Sequence, residues 1–138
     1  QKDKLLKSGF SEYSQIYPNI KREEKLSFLK NLSVFSVPSR YPEAFGLYVI
    51  EALAAGTPVV LPKSGAFPEI IQETKGGLIY DQNNPETLAQ SLDEILKNPK
   101  EFKQKGINGR TAVLDKYSNK KLAQSLVDNI LAPALAKF

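Results

Sequence analysis

Between Gly46 and Leu61 the chain carries its strongest architectural constraint. Residues 47–55 read Leu, Tyr, Val, Ile, Glu, Ala, Leu, Ala, Ala, with Glu51 as the only charge. Such a run predicts a helix apolar nearly all round, and therefore a buried one. Gly46 suits the tight turn into that helix and Gly56 suits its C-terminal stop. Thr57-Pro58-Val59-Val60-Leu61 follows at once and reads as a buried strand over 58–61. Helix passing directly into buried strand is half of a parallel βαβ unit.

The rest of the chain repeats this alternation. Residues 2–8 read as the end of a helix closed by Gly9, and 14–17 as a short strand ending at Pro18. Residues 22–31 have helical spacing, with the acids Glu23 and Glu24 early, as the helix dipole prefers. A Val- and Phe-containing strand over 32–37 stops at Pro38. A glycine turn and short helix cover 65–73, and a strand covers 77–80. Asn83 or Asn84 caps a further helix with Pro85 at its first position, turning Leu88, Leu92, Ile95 and Leu96 inward. Two more helices cover 100–116 and 119–137; the second is amphipathic through Leu122, Leu126, Ile130 and Leu131, with a kink expected at Pro133. The predicted fold is α/β, a Rossmann-like parallel sheet of four strands flanked by helices. In such sheets ligands bind beyond the carboxyl ends of the strands, where residues 38–46 and 62–67 fall.

Glu51 needs a partner in this scheme, because burying a bare carboxylate costs several kcal/mol. A helix N-terminus attracts phosphate through its unpaired N–H groups and its dipole. Glu51 lies four residues beyond Leu47, about 6 Å along the axis. A pyrophosphate at Phe45–Leu47 would put Glu51 within reach of a neighbouring ribose, and Glu43 would face whatever the second phosphate carries. The plainer alternative makes Glu51 a core acid paired with a lysine or arginine, and Glu43 a solvated loop residue.

Glu43 and Glu51, with seven residues between them that include Phe45-Gly46-Leu47, resemble the E-x7-E signature of the retaining GT-B glycosyltransferases of family four (group 1). Val37-Pro38-Ser39, Glu51-Ala52-Leu53-Ala54-Ala55-Gly56-Thr57-Pro58-Val59-Val60, Gly65-Ala66-Phe67-Pro68-Glu69-Ile70 and Gly76-Gly77-Leu78-Ile79 follow the same family's order of blocks. The similarity spans roughly residues 21–117, and the C-terminal helices fit it as well. The position of Ala44 usually holds proline, which matters little if the backbone makes the contact. The resemblance implies that Glu43 is the catalytic acid that meets the donor sugar. It implies that the backbone of Ala44, Phe45, Gly46 and Leu47 holds sugar and diphosphate, and that Glu51 binds the ribose. Gly65 and Ala66 would offer amides to phosphate or sugar, although a structural turn explains them equally.

By the same resemblance the substrate is a nucleotide-diphosphate sugar, transferred with retention to a hydroxyl acceptor. No metal and no organic cofactor are expected, because the leaving diphosphate is stabilised by the helix N-terminus and basic side chains. Other resembling features have plain readings beside them. Tyr17-Pro18-Asn19-Ile20, where the family contacts the base, is otherwise a turn. Glu69 fits helix capping or an ion pair, and Gly76-Gly77 a turn before a strand. Arg40 and Lys63 are candidate partners of the diphosphate or of the motif acids, with an exposed loop cation as the default.

Composition sets wider bounds. The 138 residues suit one domain, and 41% hydrophobic with 25% charged residues is ordinary for a globular chain. Cysteine is absent, which fits a cytoplasmic setting. Neither a membrane-spanning apolar run nor a signal peptide is visible. Histidine is absent too, so no histidine base lies in these residues. With no methionine, even at position 1, the expectation is an excised fragment: part of the donor domain, lacking its first strands and its N-terminal acceptor domain, and inactive alone. The net charge of +4 comes from lysines interleaved with acids, which reads as a solvated face rather than a nucleic-acid surface. A membrane-surface or lipid-linked acceptor fits the resemblance. Two other classes stand as alternatives: a non-catalytic nucleotide-sugar module or GT-B epimerase, and a general α/β interaction domain. A receiver-type version of the last would need an acidic cluster and a central aspartate, neither of which is apparent.

Overall fold

The computed structural model describes residues 9–81 and 84–135; the helix expected over 2–8 lies outside them. After a 3-10 turn at Ser11–Tyr13, the elements are α1 (Arg22–Lys30), β1 (Phe35–Ser36), α2 (Leu47–Ala54), β2 (Val59–Pro62), α3 (Phe67–Thr74) and β3 (Gly77–Tyr80). Then come α4 (Pro85–Lys97), α5 (Pro99–Lys116), α6 (Asn119–Leu126), a π turn at Val127–Leu131 and α7 (Ala132–Leu135).

The strands pair in parallel in the order β1-β2-β3, with Phe35 beside Val59 and Val59 beside Gly77. Because successive strand residues point to opposite faces, β2 divides the core in two. Val59 and Leu61 pack with Leu29, Val49, Leu53, Phe67, Ile70 and Val113 on one face. Val60 packs on the other with Tyr80, Ile95 and Phe102. Helix α5 contributes to both faces, Phe102 to the second and Val113 to the first. It crosses the amino ends of β2 and β3 at close range. A methyl group on Gly106 would lie 2.2 Å from the Gly56 carbonyl oxygen, and one on Gly109 would lie 3.1 Å from Gly76 Cα.

Several expected elements form where local chemistry demands them. Gly46 caps α2 with φ +66, and Gly56 follows its end with φ +87. The Asn84 side chain accepts the Thr87 amide at 3.1 Å, with Pro85 opening α4. Buried Thr57 donates its hydroxyl to the Leu29 carbonyl, tying the end of α1 to the start of β2.

Other expectations need correction. The strand expected over 14–17 is not in the sheet, which has three strands among the described residues. A strand exists only through a pairing neighbour; here Tyr17 instead rests its ring on Phe28 at 5.3 Å. The strand over 32–37 shrinks to two residues, because the Leu32 amide still closes the end of α1 on Leu29 and the Ser39 amide turns back to Val37. Leu96 is 65% exposed, one position past the buried Ile95 stripe. Leu122, Leu126, Ile130 and Leu131 are about half exposed as well, so the apolar face of the last helix is only partly covered among the described residues. That helix passes through a π turn two residues before Pro133, which has no amide to continue the ladder. The part expected beyond residue 135 lies outside the described residues.

Candidate functional site at the carboxyl rim of the sheet

The loops after β1 and β2 meet at Glu43. The Ala66 amide donates to the Glu43 carbonyl at 2.8 Å. A methyl group on Gly65, whose φ is +54, would lie 2.2 Å from that carbonyl oxygen and 2.5 Å from the Glu43 nitrogen. Only a residue without a side chain admits this approach. Gly65 and Ala66 thus form the main-chain seat of Glu43.

The Glu43 side chain folds over the entrance to α2. Its Oε1 accepts the Phe45 amide at 3.2 Å, and its Oε2 accepts the Tyr48 hydroxyl. The Tyr48 bond is the largest reason that the carboxyl is held below its ordinary value, followed by the amides of Phe45, Gly46 and Ala44. Burial, and then Glu43 itself, push the Tyr48 phenol up to about 12. The group is therefore an ionised acceptor over neutral pH, fixed at the positive end of a helix. The Phe45 amide of that end is bonded to the acid at 3.2 Å, and the Gly46 and Ala44 amides also favour its charged form. Gly46 is buried, while Ala44, Phe45 and Leu47 are exposed.

Glu51 departs from expectation. It is not buried within an apolar helix but 45% exposed, and Lys25 of α1 meets its Oε1 at 2.7 Å. The helix is amphipathic after all: Val49, Ala52 and Leu53 are buried, and Leu47 and Glu51 face outward. The cationic partner agrees with the plainer alternative; the core location does not. Structure thus gathers Glu43, Ala44, Phe45, Gly46, Gly65 and Ala66 at one place and turns Glu51 toward α1.

Two participants were missed. Tyr48 is the only hydroxyl in α2, one residue from the expected phosphate-binding turn, and that position was a usable signal. Lys25 lies 26 residues before Glu51, and nothing local marks it. Tyr17 and Ile20 line a separate groove of about 920 Å³ beside α1, with Glu24, Phe28 and Leu32; Pro18 and Asn19 there form a turn, Asn19 with φ +52. Arg40 lines a second groove of about 580 Å³ on the carboxyl rim, with Pro38, Ser39, Tyr80, Pro85 and Leu88. Lys63 and Glu69 are exposed. Among the described residues no group of three or more acids gathers to hold a metal, and no helix is long and apolar enough to cross a membrane.

Known proteins resemble this chain in sequence and fold. A mannosyltransferase of Mycolicibacterium hassiacum, MMP alpha-(1->4)-mannosyltransferase, is 29% identical over 120 residues, covering 86% of this chain and 29% of the relative. The structure of sucrose-phosphate synthase from Thermosynechococcus elongatus superposes with a TM-score of 0.84 at 26% identity, over 96% of this chain and 34% of that one. An Anabaena protein solved in complex with UDP shares the fold, with a TM-score of 0.65 at 20% identity over 72% of this chain and 28% of that one. The chain spans less than a third of the length of the curated relatives it matches. The family model described as glycosyl transferases group 1 matches residues 2–112. That stretch holds both loops of the rim, the capped α2 and the parallel GT-B-type sheet beneath them, so the chain belongs to the glycosyl transferases group 1 family.

Proposed function

We propose that this chain is the donor-binding domain of a retaining glycosyltransferase that moves a sugar from a nucleotide diphosphate to a hydroxyl acceptor. The observation that carries this reading is the seat at Glu43. There an ionised carboxylate is anchored on both oxygens at the N-terminus of α2, and a second loop is fastened to its main chain. Each oxygen of the anchored carboxylate keeps acceptor capacity for a sugar hydroxyl. The backbone of Ala44, Phe45, Gly46 and Leu47, with Gly65 and Ala66, offers the setting for sugar and diphosphate. Negative charge that develops on the leaving diphosphate is stabilised by the helix dipole and by nearby cations rather than by a bound metal or organic cofactor.

In this reading Glu51 accepts the ribose hydroxyls, and Lys25 must share or yield its carboxylate when donor enters. The pair is half exposed on both sides, so yielding costs little, about 1 kcal/mol or less. The acceptor is held by an N-terminal domain of the same parent protein, and a lipid-linked or membrane-surface acceptor fits a cytoplasmic enzyme that works at a membrane.

The test is binding of UDP, GDP, ADP and their sugar conjugates to the intact protein by ligand-observed NMR. Glu51→Ala should abolish binding of one nucleotide class, and transfer of its sugar should follow in a product assay. Binding without transfer would leave a non-catalytic nucleotide-sugar module. Failure of every nucleotide to bind would sink the donor-site reading.

A further inference from the structure

Tyr48 does more than fill space. Its ring lies 6.5 Å between centroids from both Phe35 of β1 and Phe67 of α3, tilted 55° and 67° to them. Held by strand and helix together, the ring cannot rotate away without leaving both partners. Its hydroxyl reaches Glu43 Oε2 while the Phe45 amide takes Oε1. One donor comes from a packed side chain and the other from the backbone of the turn, so the plane of the carboxylate is fixed. Without the hydroxyl, Oε2 loses the side-chain donor that fixes it, and the carboxylate is free to turn about its bond to the Phe45 amide.

We propose that Tyr48 is a positioning residue for the donor sugar: it aims the Glu43 carboxylate so that its remaining lone pairs receive sugar hydroxyls. The inference rests on the donor-site reading above. It separates two parts of one ligand, because Tyr48 acts on the contact with the sugar and leaves the contacts with the nucleoside diphosphate alone. The Tyr48 hydroxyl and the backbone amides hold the Glu43 carboxyl below its ordinary value, and burial opposes them.

Tyr48→Phe keeps the packed ring and removes only the hydroxyl. Its effect is read in the intact protein labelled with 13C at the glutamate carboxyls, with Glu43→Gln identifying the Glu43 signal. The Glu43 carboxyl should titrate at a higher pH in Tyr48→Phe than in the unaltered protein. Affinity for the bound nucleotide sugar should fall about tenfold, the scale of one lost charged hydrogen bond, with affinity for the matching sugar-free nucleoside diphosphate unchanged. An unchanged Glu43 titration overturns the proposal, as does an equal loss for both ligands, which would mark a general structural role. Binding of neither ligand by the unaltered protein overturns the donor-site reading and this role with it, a result distinct from an unchanged titration.

Discussion

Replacing Gly65 with alanine should damage the chain more than any other single methyl at the rim. The added carbon would fall 2.2 Å from the Glu43 carbonyl oxygen and 2.5 Å from its nitrogen. Both are main-chain atoms, so no rotamer relieves the overlap and one of the two loops has to move. Three contributions add. A left-handed backbone costs an L-residue about 1–2 kcal/mol. Displacing packed neighbours costs about 1–3 kcal/mol, as in overfilled cores. The bond from the Ala66 amide to Glu43 is lost with the shift, about 1 kcal/mol net. The total of about 3–6 kcal/mol is a large share of the roughly 5–15 kcal/mol that holds a domain folded. Gly46→Ala is the internal standard: its φ is also positive, at +66, but the new methyl meets the end of the Ile70 side chain at 3.1 Å. A movable contact leaves mostly the backbone strain, about 1–2 kcal/mol. In urea unfolding with a slope of about 2 kcal/mol/M, the Gly65→Ala midpoint should drop by about 1.5–3 M and that of Gly46→Ala by about 1 M or less. Equal midpoints, or a Gly46→Ala protein less stable than Gly65→Ala, would refute the claim that main-chain contact between the two loops builds the rim.

Two further outcomes follow from the same geometry. Glu43 and Glu73 are held below their ordinary value of 4.5, chiefly by the hydroxyls of Tyr48 and Tyr117; their stabilisation is complete above 4.5 and is lost as pH falls through their lowered values. Tyr48 and Tyr117 are pushed from 10 up to about 12, first by burial, so their stabilisation is complete below 10 and is lost as pH rises toward about 12. The double variant Tyr48→Phe, Tyr117→Phe should therefore flatten both limbs of a curve of unfolding free energy against pH, and an unchanged acid limb would contradict the assignment. Gly106→Ala sets helix propensity against packing. Propensity alone favours alanine by about 1 kcal/mol in mid-helix, yet the methyl would lie 2.2 Å from the Gly56 carbonyl oxygen. A net loss of about 1–3 kcal/mol should lower the melting temperature without altering nucleotide affinity of the folded fraction, because α5 lies on the rim opposite the site.

What could be read ahead of the structure was whatever neighbouring residues decide between themselves. Gly46, Gly56 and the pair Asn84-Pro85 mark ends of helices by chemistry that acts within a turn; α2 begins and ends within a residue of expectation, and α4 begins where expected. The strand Gly77–Tyr80 is bounded by its own glycine and by the polar residue after it, and it was read correctly. What escaped depends on partners far along the chain. Residues 14–17 have strand composition but no neighbour to pair with among the described residues. Glu51 was assigned to the interior because every residue near it is apolar; its exposure follows from the side on which α1 and Lys25 lie. Glu43 was singled out by its spacing to Glu51, while the side chain that anchors it was passed over as one more aromatic of a buried helix.

Helix α5 has a consequence beyond packing. Phe102 near its start closes the core on one face of the sheet, and Val113 near its end enters the core on the other. Between them Gly106 and Gly109 press the helix against the chain at Gly56 and Gly76, just before β2 and β3. A single rigid rod is thus shared by two hydrophobic clusters that the sheet would otherwise keep apart. Neither cluster can open without pulling that rod from the other, so the two faces gain and lose structure as one cooperative unit. The slowest amide exchange should accordingly have the same free energy in α2 and in α4, although the two helices lie on opposite sides of β2. The rim that carries Glu43 is joined to this unit through Tyr48, whose ring packs against the first cluster, so the site is held by the same cooperative core.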